Sequence, residues 1–231
     1  MVLVVYGFLY YTFAQTTQFI GLIYLNAITF SFILNFSAIV IVFLGWFFLA
    51  EKLTKIQWLG VALYILGVAF YFYPFENPSG TLIGYLIAVF HTLANSSGTV
   101  IGRYINRSRH LHPLTVSMVS MGIGSTLIFI WALIVDGIPH LSLTSWGIVI
   151  WMAIVNTALA FTLWNQTQRT LTATETGIIN NLMLIHIVFL AWIFLGERIT
   201  LIEGIGLVVV VFAIILVQLR NGVISYVEDR C

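Results

Sequence analysis

"IVFLGWFFLAEKLTKIQWLG", residues 41–60, sets an acid and a base, Glu51 and Lys52, between two apolar stretches. "IVFLAWIFLGERITLIEGIG", residues 187–206, repeats the arrangement. In a chain of 231 residues that is 61% hydrophobic and only 7% charged, where an ordinary soluble domain carries about 25% charged residues, so regular a placement needs a cause. The mean hydropathy of +1.06 exceeds what a water-soluble fold of this size has interior to hide. Apolar runs of 18 or more residues recur along the chain, each long enough to cross about 30 Å of hydrocarbon as a helix. The fold class is therefore all-α, a polytopic membrane protein whose first partner is the lipid bilayer.

Dividing the runs at their polar breaks gives eight helices, at about 2–25, 28–49, 56–73, 81–104, 113–135, 143–166, 175–195 and 201–219. Proline and glycine supply the punctuation: Pro74, Pro78 and Gly80 in one break, Pro113 in the next, Gly137 and Pro139 in a third. The opening, Met1–Ala14, lacks the basic start of a signal peptide and reads as a membrane helix. With eight crossings, Lys52, Lys55, Arg103, Arg107, Arg109, Arg169, Arg220 and Arg230 fall on one side and only Arg198 on the other. Cytoplasmic loops retain Lys and Arg, so both termini are expected in the cytoplasm of a multi-pass cell-membrane protein. A net charge of +1 argues against nucleic acid as a partner. The sole cysteine, Cys231, rules out an internal disulfide and a cysteine-based metal site, and neither a cofactor nor a metal is expected.

Setting residue i against i+146 aligns Asn26–Phe70 with Thr172–Leu216 without a gap, and about a third of the positions are identical, among them Asn35/Asn181, Trp46/Trp192, Glu51/Glu197, Thr54/Thr200 and Gly60/Gly206. Helices two and three thus correspond to helices seven and eight. The interval of five helices is odd, so the copies cross the membrane in opposite directions, the inverted-topology repeat of many secondary transporters. Locally, Thr54 to Gln57 and Thr200 to Glu203 fit the capping-box pattern, which makes each copy a tight helical hairpin at the water interface. Glu51 and Glu197 stand just before these boxes, where a carboxylate stays hydrated or pairs with Lys52 or Arg198. A turn that fixes helix ends accounts for them more simply than contact with a solute.

The stretches Trp46–Thr54 with Gly60, and Trp192–Thr200 with Gly206, resemble the drug/metabolite transporter superfamily, and specifically its EamA-like repeat, "W-x-x-L-[GA]-E-[KR]-[LI]-T". The resemblance implies a carrier of small organic solutes (a metabolite, an amino acid or a drug-like compound) built as five plus five helices and working by alternating access. It assigns residues 1–74 to an N-terminal repeat of three helices and 81–223 to a C-terminal repeat of five. Two further helices are then expected upstream of Met1, so that the chain reads as a truncated form; a true eight-helix variant is the alternative. The family pattern often places proline thirteen residues before the glutamate, where this chain has Ala38 and Leu184.

Polar groups at membrane depth must find partners inside the protein or line a wet cavity. The candidate solute contacts are Gln15, Asn35, His91, Asn95, Asn156, Trp164, Asn181 and His186. Asn35 and Asn181 are repeat partners lying about 10 Å into their helices at about 1.5 Å per residue, while His91 and Asn95 share one face. Against this stands the simpler role of such residues as hydrogen-bonding glue between helices, at about 0.6 kcal/mol each. Gly98 and Gly102 form a small-xxx-small pattern that permits close helix contact and a homodimer. No nucleophile and base pair, paired aspartates or His-Glu-x-x-His motif supports an enzyme. The remaining alternative is a membrane subunit that transports nothing.

Overall fold

The computed structural model describes residues 1–25, 27–73, 81–135, 137, 142–180, 186, 193–194 and 200–218. These form helical rods and, among the described residues, no strand. The rods are α1 (residues 2–24), α2 (residues 27–49, with a turn at Phe36), α3 (Lys55–Tyr71), α4 (Leu82–Arg107), α5 (Pro113–Val135), α6 (Leu143–Thr167), α7 (described over Ala173–Asn180) and α8 (Leu201–Gln218). Over the described residues their order and limits follow the apolar runs to within a few residues, and the far end of the seventh run, at 195, lies outside them. Thr29–Leu49, Pro113–Val135 and Leu143–Thr167 are each long and apolar enough to span a membrane, and Lys55–Tyr71 and Leu201–Val217 are shorter apolar helices.

The helix ends have side-chain causes. Thr54 and Gln57 cap α3 reciprocally, Thr81 accepts from the Gly84 amide at the start of α4, and Ser142 accepts from the Ser145 amide at α6. At α8 the Thr200 amide donates to Glu203 and the Glu203 amide to the Thr200 hydroxyl, so both boxes read from the repeat form. Along α4 the usual amphipathic order is reversed. His91, Thr92, Ser96, Thr99 and Asn106 are buried, while Ile83, Leu86, Phe90 and Leu93 point outward. In lipid, apolar surface gains nothing from burial, and small or polar residues that pack or hydrogen-bond hold helices together.

Two contacts place the halves in opposite senses. In α2, Ile41 meets Gly177 and Gly45 meets Ala173, so α7 runs antiparallel to its own repeat partner. The α3/α8 crossing is closer still. A Cβ added to Gly60 would fall 2.6 Å from Val217 and 3.0 Å from the Ala213 carbonyl, and one added to Gly206 would fall 2.5 Å from the Tyr71 amide and 2.8 Å from the Gly67 carbonyl. The i+146 register turns the first pair of contacts into the second, since Gly60, Ala213 and Val217 match Gly206, Gly67 and Tyr71. The two copies therefore meet at a glycine-lined seam along a local two-fold axis. Val61, Tyr64, Val68, Val210, Ala213, Ile214 and Val217 form a core cluster around it.

The helices that precede the two repeated pairs, α1 and α6, share another feature. Gly7–Ala14 in α1 and Met152–Leu159 in α6 are π-helical, beginning and ending 145 residues apart. Thr12 and Thr157 each donate to the carbonyl five residues earlier, Gly7 and Met152. Their surroundings differ. Tyr6, Tyr10 and Tyr11 of α1 are buried, with ring centroids 5.2–5.4 Å apart, against Gly98 and Gly102 of α4 and Gly124 of α5. In α6, residues 143–159 include no buried residue.

Candidate functional site

The glutamate that marks the repeat sits at the end of α2. Ala50 takes the left-handed conformation, φ 55°, ψ 26°, and the Ala50 and Glu51 amides both reach back to the Gly45 carbonyl, closing the helix with a wide left-handed turn. This explains why the motif has Gly or Ala before the acid: the position needs positive φ, and side chains larger than a methyl add strain there. The turn aims the Glu51 side chain across the bundle.

Its carboxylate ties three rods. Arg103 Nε of α4 donates to Oε1 at 2.9 Å, and the Ala173 amide, in the first turn of α7, donates to Oε2 at 2.9 Å. Arg103 Nη1 donates onward to the Gln168 carbonyl just after α6 at 2.7 Å, and Arg107 Nη1 donates to the Leu49 carbonyl at 3.1 Å. Both side chains of the ion pair are 13% exposed, so bulk salt screens the pair weakly. The expected neighbour Lys52 is not the partner. It is exposed, because the left-handed turn at Ala50 sends the two consecutive side chains in different directions. Glu197 and Arg198 lie outside the described residues.

A second link runs parallel to the first. Glu175 is buried and caps α7 by accepting from the Thr172 amide at 2.9 Å, while its own amide donates to the Thr172 hydroxyl at 3.2 Å. Gln57 Nε2, from the capping box of α3, donates to Glu175 Oε1 and to the Val217 carbonyl, both at 3.3 Å. Both sides of the first hairpin thus hold the start of α7, where unpaired amides and the helix dipole favour carboxylate oxygens. The spacing Thr172-x-x-Glu175 is the sequence signal for this cap. At the same end Asn106 Nδ2 donates to Asn165 Oδ1 at 2.7 Å, Asn165 Nδ2 donates to the Ser117 hydroxyl at 3.0 Å, and Gln168 Nε2 donates to the Thr99 carbonyl at 3.0 Å.

The candidate solute contacts fall in different interfaces. His91 is buried between α4 and α1, its Nδ1 2.8 Å from the Ala14 carbonyl and its ring 5.1 Å from that of Phe30. A carbonyl only accepts, so Nδ1 carries the proton and Nε2 is a bare acceptor. That Nε2 is buried without a hydrogen-bond partner. Gln15, beside Ala14, and Asn95, one turn along α4, are half-buried near the same pair of rods. Asn35 instead joins α2 to α3: Tyr64 donates to Oδ1 at 2.6 Å, and Nδ2 donates to the Ser31 carbonyl at 2.7 Å. It lines a cavity of about 30 Å³ with Phe32, Phe36, Tyr64, Ile65, Val68 and Ala69, room for about one water. Asn156 and His186 are exposed, and Trp164 is half-buried with its indole N–H unpartnered. Asn181 lies outside the described residues. The described residues bring His91, Gln15 and Asn95 to one helix pair and hold Asn35 in another.

An inverted pair of helical units, with polar groups between the rods and apolar side chains outside, is the construction of a helical membrane carrier. A solved structure described as "Crystal structure of protein" superposes with a TM-score of 0.73 at 15% identity, over 89% of this chain and 72% of that one, a likeness of fold. No curated protein matches the chain. The model of the EamA-like transporter family matches residues 1–73 and 82–219, and the chain belongs to that family. Its members are integral membrane transporters of the drug/metabolite type rather than enzymes.

Proposed function

We propose that this chain carries a small organic solute, a metabolite, amino acid or amphipathic drug-like compound, across the cell membrane by alternating access, with its basic end toward the cytoplasm. The observation that carries the reading is the antiparallel relation of α2 and α3 to α7 and α8 within a chain of this family. Two units of opposite sense can exchange conformations and so open a shared site to either side in turn. The units are residues 1–74 and 81–223, and the solute contacts are drawn from Gln15, Asn35, His91, Asn95, Asn156, Trp164, Asn181 and His186. His91 is the leading residue, because its bare, buried Nε2 suits a hydroxyl or amine donor on a neutral or zwitterionic solute.

The test is reconstitution in sealed vesicles with counterflow of a panel of labelled amino acids and amphipathic metabolites. Saturable uptake that falls at least tenfold in His91→Ala supports the reading. Equal uptake by empty vesicles for the whole panel sinks it. A second reading, a membrane subunit that moves nothing by itself, is favoured by the uncovered face of α6 between residues 143 and 159. It predicts co-purification with a second membrane protein and no uptake by the chain alone.

A further inference from the structure

The joints between the two units are of two physical kinds. At α3/α8, glycines let one backbone sit against the other, and a single added Cβ would meet main-chain atoms at 2.5–3.0 Å. Such a seam separates only if whole helices move apart. At the basic end of α2 and α7, by contrast, the groups in contact are small and smooth: a Cβ at Gly45 would lie 3.7 Å from that of Ala173, an ordinary van der Waals distance. Further along the same pair of helices the side-chain tip of Ile41, not main chain, rests on Gly177, and Leu49 and Val100 pack beside Ala173. Its polar closure is made by the Ala173 amide and Arg103 donating to Glu51, and by the longer Gln57–Glu175 contact at 3.3 Å.

Resting on the alternating-access reading above, we propose that Glu51 is the gate residue of the basic end: its carboxylate holds α7 and α4 together in the closed state and releases them to water when that end opens. Three features support the assignment. Glu51 stands on the turn between α2 and the fixed α3/α8 seam, so it works from an anchored base. It grips α7 by its first amide alone, which water can replace without breaking any hydrogen bond inside α7. Arg103 is bound in turn to the Gln168 carbonyl, so one guanidinium links the carboxylate to the end of α6 as well as to α4. Glu51 touches no solute in this scheme and acts by positioning helices.

Cysteine labelling tests it. The chain's single cysteine is removed as Cys231→Ser, and Ala173→Cys, fully buried at the joint, reports opening of the basic end to a membrane-impermeant maleimide. Ser31→Cys, near the other end of α2, reports the opposite side. In vesicles presenting the basic end to the reagent, Glu51→Ala is expected to raise the labelling rate at position 173 at least tenfold, with Glu51→Gln intermediate. From the other side, the rate at position 31 should fall in the same variants. That reciprocal change separates a gate from a structural prop, whose loss would raise both rates. If Glu51→Ala does not yield a monodisperse protein, Arg103→Ala removes the other half of the clamp and must give the same pair of changes. Rates within twofold of the parent at position 173, or a rise at both positions, would overturn the proposal. Because labelling needs no solute, a chain that carries nothing yet shows the reciprocal change overturns the transport reading and leaves the gate standing.

Discussion

Replacing Gly206 by alanine puts one methyl group into the α3/α8 seam, where it would stand 2.5 Å from the Tyr71 amide nitrogen and 2.8 Å from the Gly67 carbonyl oxygen. Main chain cannot rotate away as a side-chain tip can, so the helices must part by about 0.9 Å to restore the 3.4 Å of ordinary contact. Overpacking of this kind costs about 1–3 kcal/mol. Gly204, two residues earlier on α8, has nothing within 4 Å of its added Cβ. There alanine brings only the gain from a less flexible unfolded chain, about 0.5–1 kcal/mol. The two substitutions, identical in chemistry, therefore differ in sign and are separated by roughly 1.5–4 kcal/mol. For a chain of this size about 2–4 °C of Tm accompanies each kcal/mol, which gives a separation of roughly 3–16 °C. Thermal unfolding in detergent micelles, followed by loss of monodisperse protein, measures it. Equal shifts in the same direction would refute the seam, since nothing else distinguishes the two sites so sharply.

The ion pair gives a second contrast: Arg103→Ala should lower stability by about 1–3 kcal/mol by leaving the Glu51 carboxylate underpaired, whereas Lys52→Ala should stay within about 0.5 kcal/mol. The same melting assay decides between the two basic residues, and a larger effect at Lys52 would reverse the assignment. Tyr64→Phe removes the donor to Asn35 Oδ1 and should cost about 0.6–2 kcal/mol; coupling with Asn35→Ala in a double-mutant cycle checks it, and strictly additive losses would deny the bond. Asn165→Ala leaves the buried Ser117 hydroxyl without its donor and removes the shortest of the bonds made by Asn106 Nδ2, for a loss of about 1–3 kcal/mol. Asn165→Gln, too long for the same geometry, should not restore the parent Tm.

What could be read from the chain alone was whatever is local or periodic. The apolar runs delimited the rods because length and hydropathy decide a membrane helix. The identities at a constant offset exposed the inverted halves, and the Thr54 and Thr200 caps follow from residues three apart. The partner of Glu51 was hidden because Arg103 lies 52 residues away and nothing in sequence joins them, while the adjacent Lys52 offers a false neighbour. The packing of Tyr6, Tyr10 and Tyr11 into one cluster was hidden for a related reason: aromatic residues in membrane helices face lipid by default, and only the glycines of α4 and α5 make room for these three inside. The depth of His91 was legible, but its union with Ala14 was not, since depth says nothing about azimuth.

The matched π segments of α1 and α6 bear on that last point. A π turn places one more residue in each hydrogen-bonded ring than an α turn does. The chain beyond such a segment is advanced by about one residue, or roughly 100° about the helix axis, relative to a continuous α-helix. Each rod is thus a pair of half-rods, and in α1 both halves face α4: Tyr6 and Tyr10 stand at Gly102 and Gly98 below, and Thr17 stands at His91 above. Were Gly7–Ala14 to rewind as a plain α-helix, the upper half would turn by that angle without any helix being translated. A phase slip of this kind, available once in each half of the molecule, would reset which side chains face the interior while leaving the α3/α8 seam untouched.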